Sequence, residues 1–398
     1  MPIRVLHLIT TLGRGGAERQ LVNLVCNTRP EEFEHVVCYL HPPGDFSEEL
    51  RQAGHEAVCL NLPRRWPWLF APLRLMPTLH KYQPDIIQTW LLEADLAARF
   101  STLTSSIPIV NTLHLTTYEP ETIAAGGWPP WKLAVLCQID RFTAKWARPL
   151  FVAVSETVKE SAVRHLRVPE SSVRVIYNSV NQETLRSEPG DAAQLRAQLG
   201  IPASSFVYVN VGRLDPQKGQ SYLLHAFKEV SRQHKDMYLA FVGDGPLFGE
   251  LEELARTLEI ADSVKFLGRR VDVGACLELG DAFVFPSLFE GLPLAPIEAM
   301  LKGIPCIATS IGPMQEIFTD RENALLVAHG SIPELAAAMS EIYSKPDLRK
   351  HLATSAKTLA FQRFDSGMGL QAWEHLYREI GYRKQSKQLT ERQVEQRG

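Results

Sequence analysis

The chain has 398 residues, of which 45% are hydrophobic and 22% charged, and its net charge is −3. That length exceeds one ordinary compact domain and points to two of about 150 to 200 residues each. The near-neutral balance excludes an overall basic field for nucleic acid. No stretch approaches the roughly 18 consecutive apolar residues of a membrane span.

The opening MPIRVLHLIT is a brief apolar run leading into a Gly-rich turn and not to a small-residue cleavage site, so it reads as a first strand and not a signal peptide. After it, AERQLVNLVCNT alternates with the apolar runs EHVVCYL, PDIIQTW, IPIVNTLH and LFVAVSE. Strands alternating with amphipathic stretches mean a parallel sheet covered on both faces. Residues 181–204 contain Pro189, Gly190, Gly200 and Pro202 and no strand, so they read as a linker with one short helix. A second series follows: FVYVNVG, MYLAFVGDG, VKFLGR, AFVFPS and IPCIAT. The α/β organisation is therefore 1–180, a linker 181–204, a second domain 205–364, a closing amphipathic helix 365–382, and a polar, frayed tail 383–398. The six cysteines, Cys26, Cys38, Cys59, Cys137, Cys276 and Cys306, stand singly, which suits a reducing cytosol. Ligands of such sheets sit beyond the carboxyl ends of the strands, so chemistry belongs just after strands.

Three stretches meet that condition. In TLGRGGAER, Gly15 and Gly16 follow a strand and open a helix whose free N–H groups favour an anion. The run lacks the last glycine of G-x-G-x-x-G, and the next strand ends without an acidic residue, so NAD binding is rejected. A flexible turn without a ligand is the alternative. In VNVGRLDPQKGQ, Arg213 and Lys218 stand at a strand end near a helix start, a set suited to a diphosphate. Solvated surface cations are the alternative. In SLFEGLPLAPIEAM, Gly291 and Pro293 forbid one continuous helix from Glu290 to Glu298. The helix is expected over about 294–302, with Glu290 on the loop before it and Glu298 one turn inside. Carboxylates so placed can accept hydroxyls from a sugar and a ribose, or serve as ordinary helix-terminus charges.

Glu290 and Glu298 match the E-x7-E motif of the retaining GT-B glycosyltransferases of family 4. The stretches GGAER, VAVSE, VIYNSVN, VGRLDPQKG, FVGDGP, VKFLGR, GIPCIAT and ENALLV match that family's other landmarks in order. The chain resembles this family over nearly its whole length. The resemblance implies two Rossmann-like domains facing across a cleft, acceptor domain first, with the closing helix crossing back to the first domain. It implies transfer of a sugar from a nucleotide diphosphate, UDP being the commoner choice, with retention and without a metal or cofactor. D-x-D is absent from the chain. By the same resemblance Arg213 and Lys218 hold the diphosphate, Glu298 the ribose, and Glu290 the transferred sugar. Gly243, Gly291, Leu292 and Leu294 line the donor, Gly15 and Gly16 approach from the other domain, His114 lies beside the donor sugar, and Arg269 lies by the base. Pro296, which removes an N–H in the first turn, and Ser179, where glycine is common, depart from the pattern.

Six of the seven tryptophans, Trp66, Trp68, Trp90, Trp128, Trp131 and Trp146, fall in the first 146 residues, and residues 126–167 carry seven Lys/Arg against three Asp/Glu. Aromatic and basic surfaces suit an anionic headgroup region. The expected setting is cytoplasmic, with peripheral contact at the inner membrane and a glycan or polyprenyl- or lipid-linked acceptor in polysaccharide, lipopolysaccharide or glycolipid assembly. Core tryptophans with solvated bases are the alternative. A GT-B-shaped nucleotide-sugar epimerase and a non-catalytic nucleotide-sugar scaffold are the competing functions.

Overall fold

The computed structural model describes residues 2–63, 67–102, 106–125 and 129–395. They group into two units: 1–118, 128–178 and 367–398 in the first, 119–127 and 179–366 in the second.

The first unit is a seven-stranded parallel sheet. Its strands are β1 (Ile3–Ile9), β2 (Phe33–Tyr39), β3 (Glu56–Cys59), β4 (Ile86–Trp90), β5 (Ile109–Leu113), β6 (Leu150–Ala153) and β7 (Val173–Val175). They lie in the order β3-β2-β1-β4-β5-β6-β7. Strand side chains alternate between faces, so Val5 and Ile9 pack on one side with helix Gly16–Asn27 and with Trp373, Leu376 and Tyr377. Leu6 and Leu8 pack on the other with Ala71 and Leu75 of helix Pro67–Tyr82 and Ala97 of helix Leu92–Ser101. Both faces are hidden from water only when both layers are present, which is why the strands read as largely apolar runs.

The closing helix runs Ser366–Glu395, so 383–395, expected as part of a frayed tail, are helical, and 396–398 lie outside the described residues. After Gly381 the sequence offers no Gly or Pro until Gly398 and is rich in Lys, Gln, Glu and Arg, all good helix formers. The helix is fastened to the first unit by Arg378–Glu32 at 2.7 Å and by a two-pronged Arg174–Glu379 pair at 2.6 and 2.7 Å.

The second unit holds six parallel strands: β8 (Phe206–Val211), β9 (Met237–Val242), β10 (Val264–Phe266), β11 (Ala282–Phe285), β12 (Cys306–Thr309) and β13 (Leu325–Val327). Their order is β10-β9-β8-β11-β12-β13. Tyr208, Phe227, Phe241 and Met339 anchor its core. The 181–204 stretch contains helix Asp191–Gln198, as expected, together with a short 3-10 turn Gln182–Leu185. Helix Pro120–Ala125, inside the range assigned from sequence to the first domain, belongs to the second unit and packs beside the turn Pro216–Lys218. Among the described residues no helix is long and apolar enough to cross a membrane.

Candidate active site

In the second unit the strand order reverses between β8 and β11, because β9 and β10 lie to one side and β12 and β13 to the other. A crevice forms where loops diverge from such a point. Arg213 and Lys218 leave β8, and Glu290 leaves β11, so two stretches 72 residues apart meet there. Lys218 Nζ donates to Glu290 Oε1 at 2.6 Å. Both side chains are mostly buried, at 17% and 6% exposed. Lys218 also lies 5.3 Å from the centre of the Phe285 ring, within cation–π reach.

The turn is held rigidly. Leu288 N donates to Gln217 O at 2.8 Å, and Gln217 Nε2 donates to Phe289 O at 2.9 Å. Gly219 has φ +66°, and a Cβ there would lie 2.2 Å from Pro286 O, so only glycine allows the two loops this approach. Gly219 is also the N-cap of helix Gln220–Ser231, with no side chain capping it. Its first N–H groups are therefore available to an anion. Arg213 is 70% exposed, with Nε 3.5 Å from Asp215 Oδ2. Its guanidinium is thus free to swing towards a ligand at the cost of a weak surface pair.

Helix Leu294–Lys302 begins where the sequence reading placed it. Glu290 sits before it, Gly291 and Leu292 are buried, and Glu298 is half-buried one turn inside. Leu294 opens the helix behind an uncapped Pro293. Gly243 has φ +142° and a Cβ there would fall 2.0 Å from Gly212 O. Strand-end packing alone accounts for that glycine. Arg269 is exposed beyond the edge strand β10, two strands from β8.

The first unit holds Gly15, Gly16 and His114. Gly15 caps helix Gly16–Asn27 with no side-chain bond, and a Cβ on Gly16 would meet nothing within 4 Å. Thr11 Oγ1 donates to Glu18 Oε1 at 3.3 Å in the first turn, and burial raises the Glu18 carboxyl above its usual range. His114 follows β5 and stacks on Trp90, ring centres 5.2 Å apart and planes 22° apart. Its Nε2 is buried without a hydrogen-bond partner, and desolvation pushes the imidazole down to about 4, so it is neutral at pH 7.

Sequence reasoning missed a cavity of about 270 Å³ beside His114, whose wall includes Asp95, Tyr118, Asp140 and Leu91. Asp95 receives a hydrogen bond from Thr89, and burial pushes its carboxyl up to about 7 despite the neighbouring Arg99. Asp140 accepts from Arg99 at 2.5 Å and from Tyr118 at 2.8 Å. Leu91 carries φ +75°, a strained value for a branched side chain. The signal for the site was an i, i+4 pair, Asp95 and Arg99, placed just after a strand.

Two family models divide the chain between them. Residues 14–184 match Glycosyltransferase Family 4, and residues 191–359 match Glycosyl transferases group 1. The chain belongs to the glycosyltransferases. This glycosyltransferase is 29% identical over 357 residues to the lipopolysaccharide core biosynthesis glycosyltransferase LpsD of Rhizobium meliloti, covering 88% of this chain and 91% of that one. It is 31% identical over 243 residues to the UDP-Gal:alpha-D-GlcNAc-diphosphoundecaprenol alpha-1,3-galactosyltransferase of Escherichia coli, a match spanning 60% of this chain and 61% of that protein. Its fold is similar to that of HepE of Anabaena in complex with UDP and glucose, with TM-score 0.81, 25% identity, and coverage of 94% of this chain and 99% of that one. The architecture is thus the GT-B pair of Rossmann-like domains. Within it the second unit brings Lys218, Glu290, Gly291 and Leu292 into one loop pair, with Arg213 on its rim. Arg269 stands apart from that pair, and Gly15, Gly16 and His114 are held by the first unit.

Proposed function

We propose that this glycosyltransferase moves a sugar, with retention, from a UDP-linked donor to a glycan or lipid-linked acceptor in cell-surface polysaccharide or glycolipid assembly. The observation that carries the reading is the buried Lys218–Glu290 pair at the β8/β11 reversal. A desolvated ion pair is an expensive way to hold a loop, and here it presents a cation and an acceptor together at a ligand-binding edge. The UDP complexes of the HepE fold and the galactosyltransferase relative support the donor class.

In the reaction the bond from the anomeric carbon to the diphosphate oxygen breaks, and one to the acceptor oxygen forms on the same face. The acceptor's proton passes to the departing phosphate oxygen. Lys218, Arg213 and the uncapped start of helix Gln220–Ser231 meet the charge growing on the diphosphate, work that requires no metal. Glu290 bonds the transferred sugar, and Glu298 bonds the ribose. Backbone N–H groups from Gly291 through Leu292 and Leu294 line the donor, with Gly243 and Arg269 towards the base. Neutral His114 supplies a hydrogen bond to the sugar, and Gly15 and Gly16 allow close approach from the first unit.

Peripheral membrane contact belongs to the same reading. Helix Pro130–Ala147 exposes Trp131, Val135, Phe142 and Trp146, spaced so that they form one stripe, with exposed Lys132, Lys145 and Arg148 beside it. An apolar stripe flanked by bases suits an anionic lipid surface. Trp68 and Trp90 are core residues, while Trp66 and Trp128 lie outside the described residues.

The test is thermal stability with UDP, GDP, ADP and NAD, each with and without EDTA. A ligand at a hundredfold excess over its dissociation constant stabilises by about 2.7 kcal/mol. The reading expects a shift with UDP that EDTA does not alter. A shift with NAD alone, or one abolished by EDTA, would overturn it.

A further inference from the structure

On one face of the first sheet a row of polar rings crosses neighbouring strands. His35 on β2, His7 on β1 and Trp90 on β4 project to the same side, and His114 follows β5. Trp90 Nε1 donates to His7 Nδ1 at 3.3 Å. His7 Nε2 lies 2.8 Å from His35 Nδ1, and His35 Nε2 lies 2.7 Å from Thr28 Oγ1.

Indole N–H can only donate, so His7 Nδ1 must carry its lone pair. Neutral His7 then bears its proton on Nε2, which donates to His35 Nδ1. His35 in turn bears its proton on Nε2 and donates to Thr28. One proton on each ring satisfies the whole chain, and no other arrangement does. A second proton on His7 would set two N–H groups against each other at Trp90. A second proton on His35 would oppose His7 and force it to switch tautomer, with the same loss at Trp90.

We infer that Trp90 is a positioning residue for His114, its indole held by the His7–His35 chain so that the stacked imidazole presents a fixed edge to the sugar. The functional half of this inference rests on the role proposed above for His114. The indole face is the surface against which His114 stacks, and the hydrogen bond to His7 is what stops the indole from turning. The titratable groups facing the histidine pair are His55, whose ring is 6.2 Å from His35, and Tyr377, also 6.2 Å away. Tyr377 is neutral and donates to Gln88, and Arg378 and Glu374 on the same helix pair with Glu32 and Arg29. Among the described residues no carboxylate therefore stabilises a charge on either imidazole, and burial keeps both pKa values below the usual histidine range.

The experiment is NMR of the full chain, following the Trp90 indole N–H and the His114 ring signals in the unaltered protein, His7→Gln, His7→Leu and Trp90→Phe. Glutamine can accept from Trp90 and donate to His35 without titrating. Both signals should stay in place in His7→Gln and move together in His7→Leu. On acidification the Trp90 indole N–H should move with a midpoint that His7→Gln shifts or removes, whereas the His114 ring, itself lowered to about 4, follows its own titration. His114 signals indifferent to His7→Leu would overturn the inference, as would a Trp90 midpoint unchanged in His7→Gln. Turnover of a UDP-sugar that the unaltered protein consumes should fall about tenfold to a hundredfold in His7→Leu, the scale on which misplaced groups act, and recover in His7→Gln, with UDP affinity unchanged in both. Failure of the unaltered protein to bind UDP would sink the donor reading and leave the NMR arm to decide the coupling.

Discussion

Lys218 Nζ and Glu290 Oε1 are 2.6 Å apart across two loops that leave neighbouring strands. Removing one member strands the other in a site that water hardly reaches. Glu290→Ala should therefore lower stability by about 3 to 5 kcal/mol, while a double replacement, Lys218→Met with Glu290→Leu, should recover most of it. Chemical denaturation of the unaltered protein and these two variants checks this. Glu290→Gln keeps the shape and should retain UDP binding while turnover falls about 100-fold or more.

The glycines separate two roles. Gly243→Ala puts a methyl group 2.0 Å from Gly212 O at φ +142°, so melting should drop by several degrees, a loss of about 2 kcal/mol or more. Gly16→Ala meets nothing within 4 Å, so melting should hold. Weakened UDP or acceptor binding in a stable Gly16→Ala protein would mark a ligand passing close to that backbone.

Acid stability carries the mark of the histidine row. In the unfolded chain His7 and His35 bind protons below about 6.5, whereas burial lowers both in the folded state, His35 to about 3. The unfolded state thus binds more protons, and stability falls as pH drops from 6.5 towards 3. Asp95 acts oppositely. Raised to about 7 by burial, it binds more protons when folded, so its contribution falls as pH rises from about 4 through 7. The two trends oppose each other between about 4 and 6.5, so the informative quantity is a difference. Unaltered protein minus His7→Gln should lose stability on acidification, by up to about 1.4 kcal/mol per pH unit, and unaltered protein minus Asp95→Asn should gain it.

Replacing Trp131, Phe142 and Trp146 with Ser should abolish co-sedimentation with anionic vesicles at low salt while leaving melting unchanged, because all three are exposed. Retained sedimentation would move the contact elsewhere, and the exposed Leu69, Leu73 and Met76 of helix Pro67–Tyr82 would be next.

Of the thirteen strands among the described residues, ten are legible in the sequence as β-branched or aromatic runs. The other three, β3, β7 and β13, are sheet edges of three or four residues, too short to show a period; β10, equally short, is legible only as part of the longer stretch VKFLGR. Helix Leu294–Lys302 was legible because proline is tolerated only in a first turn. Helix Pro67–Tyr82 was not, since Pro72 and Pro77 lie inside it, where proline normally argues against a helix. The roles of Arg213, Lys218 and Glu290 came from resemblance, but that Lys218 touches Glu290 required the β8–β11 adjacency, which no local pattern encodes. His7 looks like a single polar residue in the apolar run VLHLI, and His35 follows Glu34 at the start of another. Their inward phase at period two was the available clue.

The most direct measurement of the central claim is calorimetric titration of UDP into the unaltered protein and into the Lys218→Met/Glu290→Leu double variant. The account predicts that the variant, folded but stripped of its buried charges, binds UDP at least tenfold more weakly. Equal affinity in the two proteins would contradict it and place the diphosphate elsewhere.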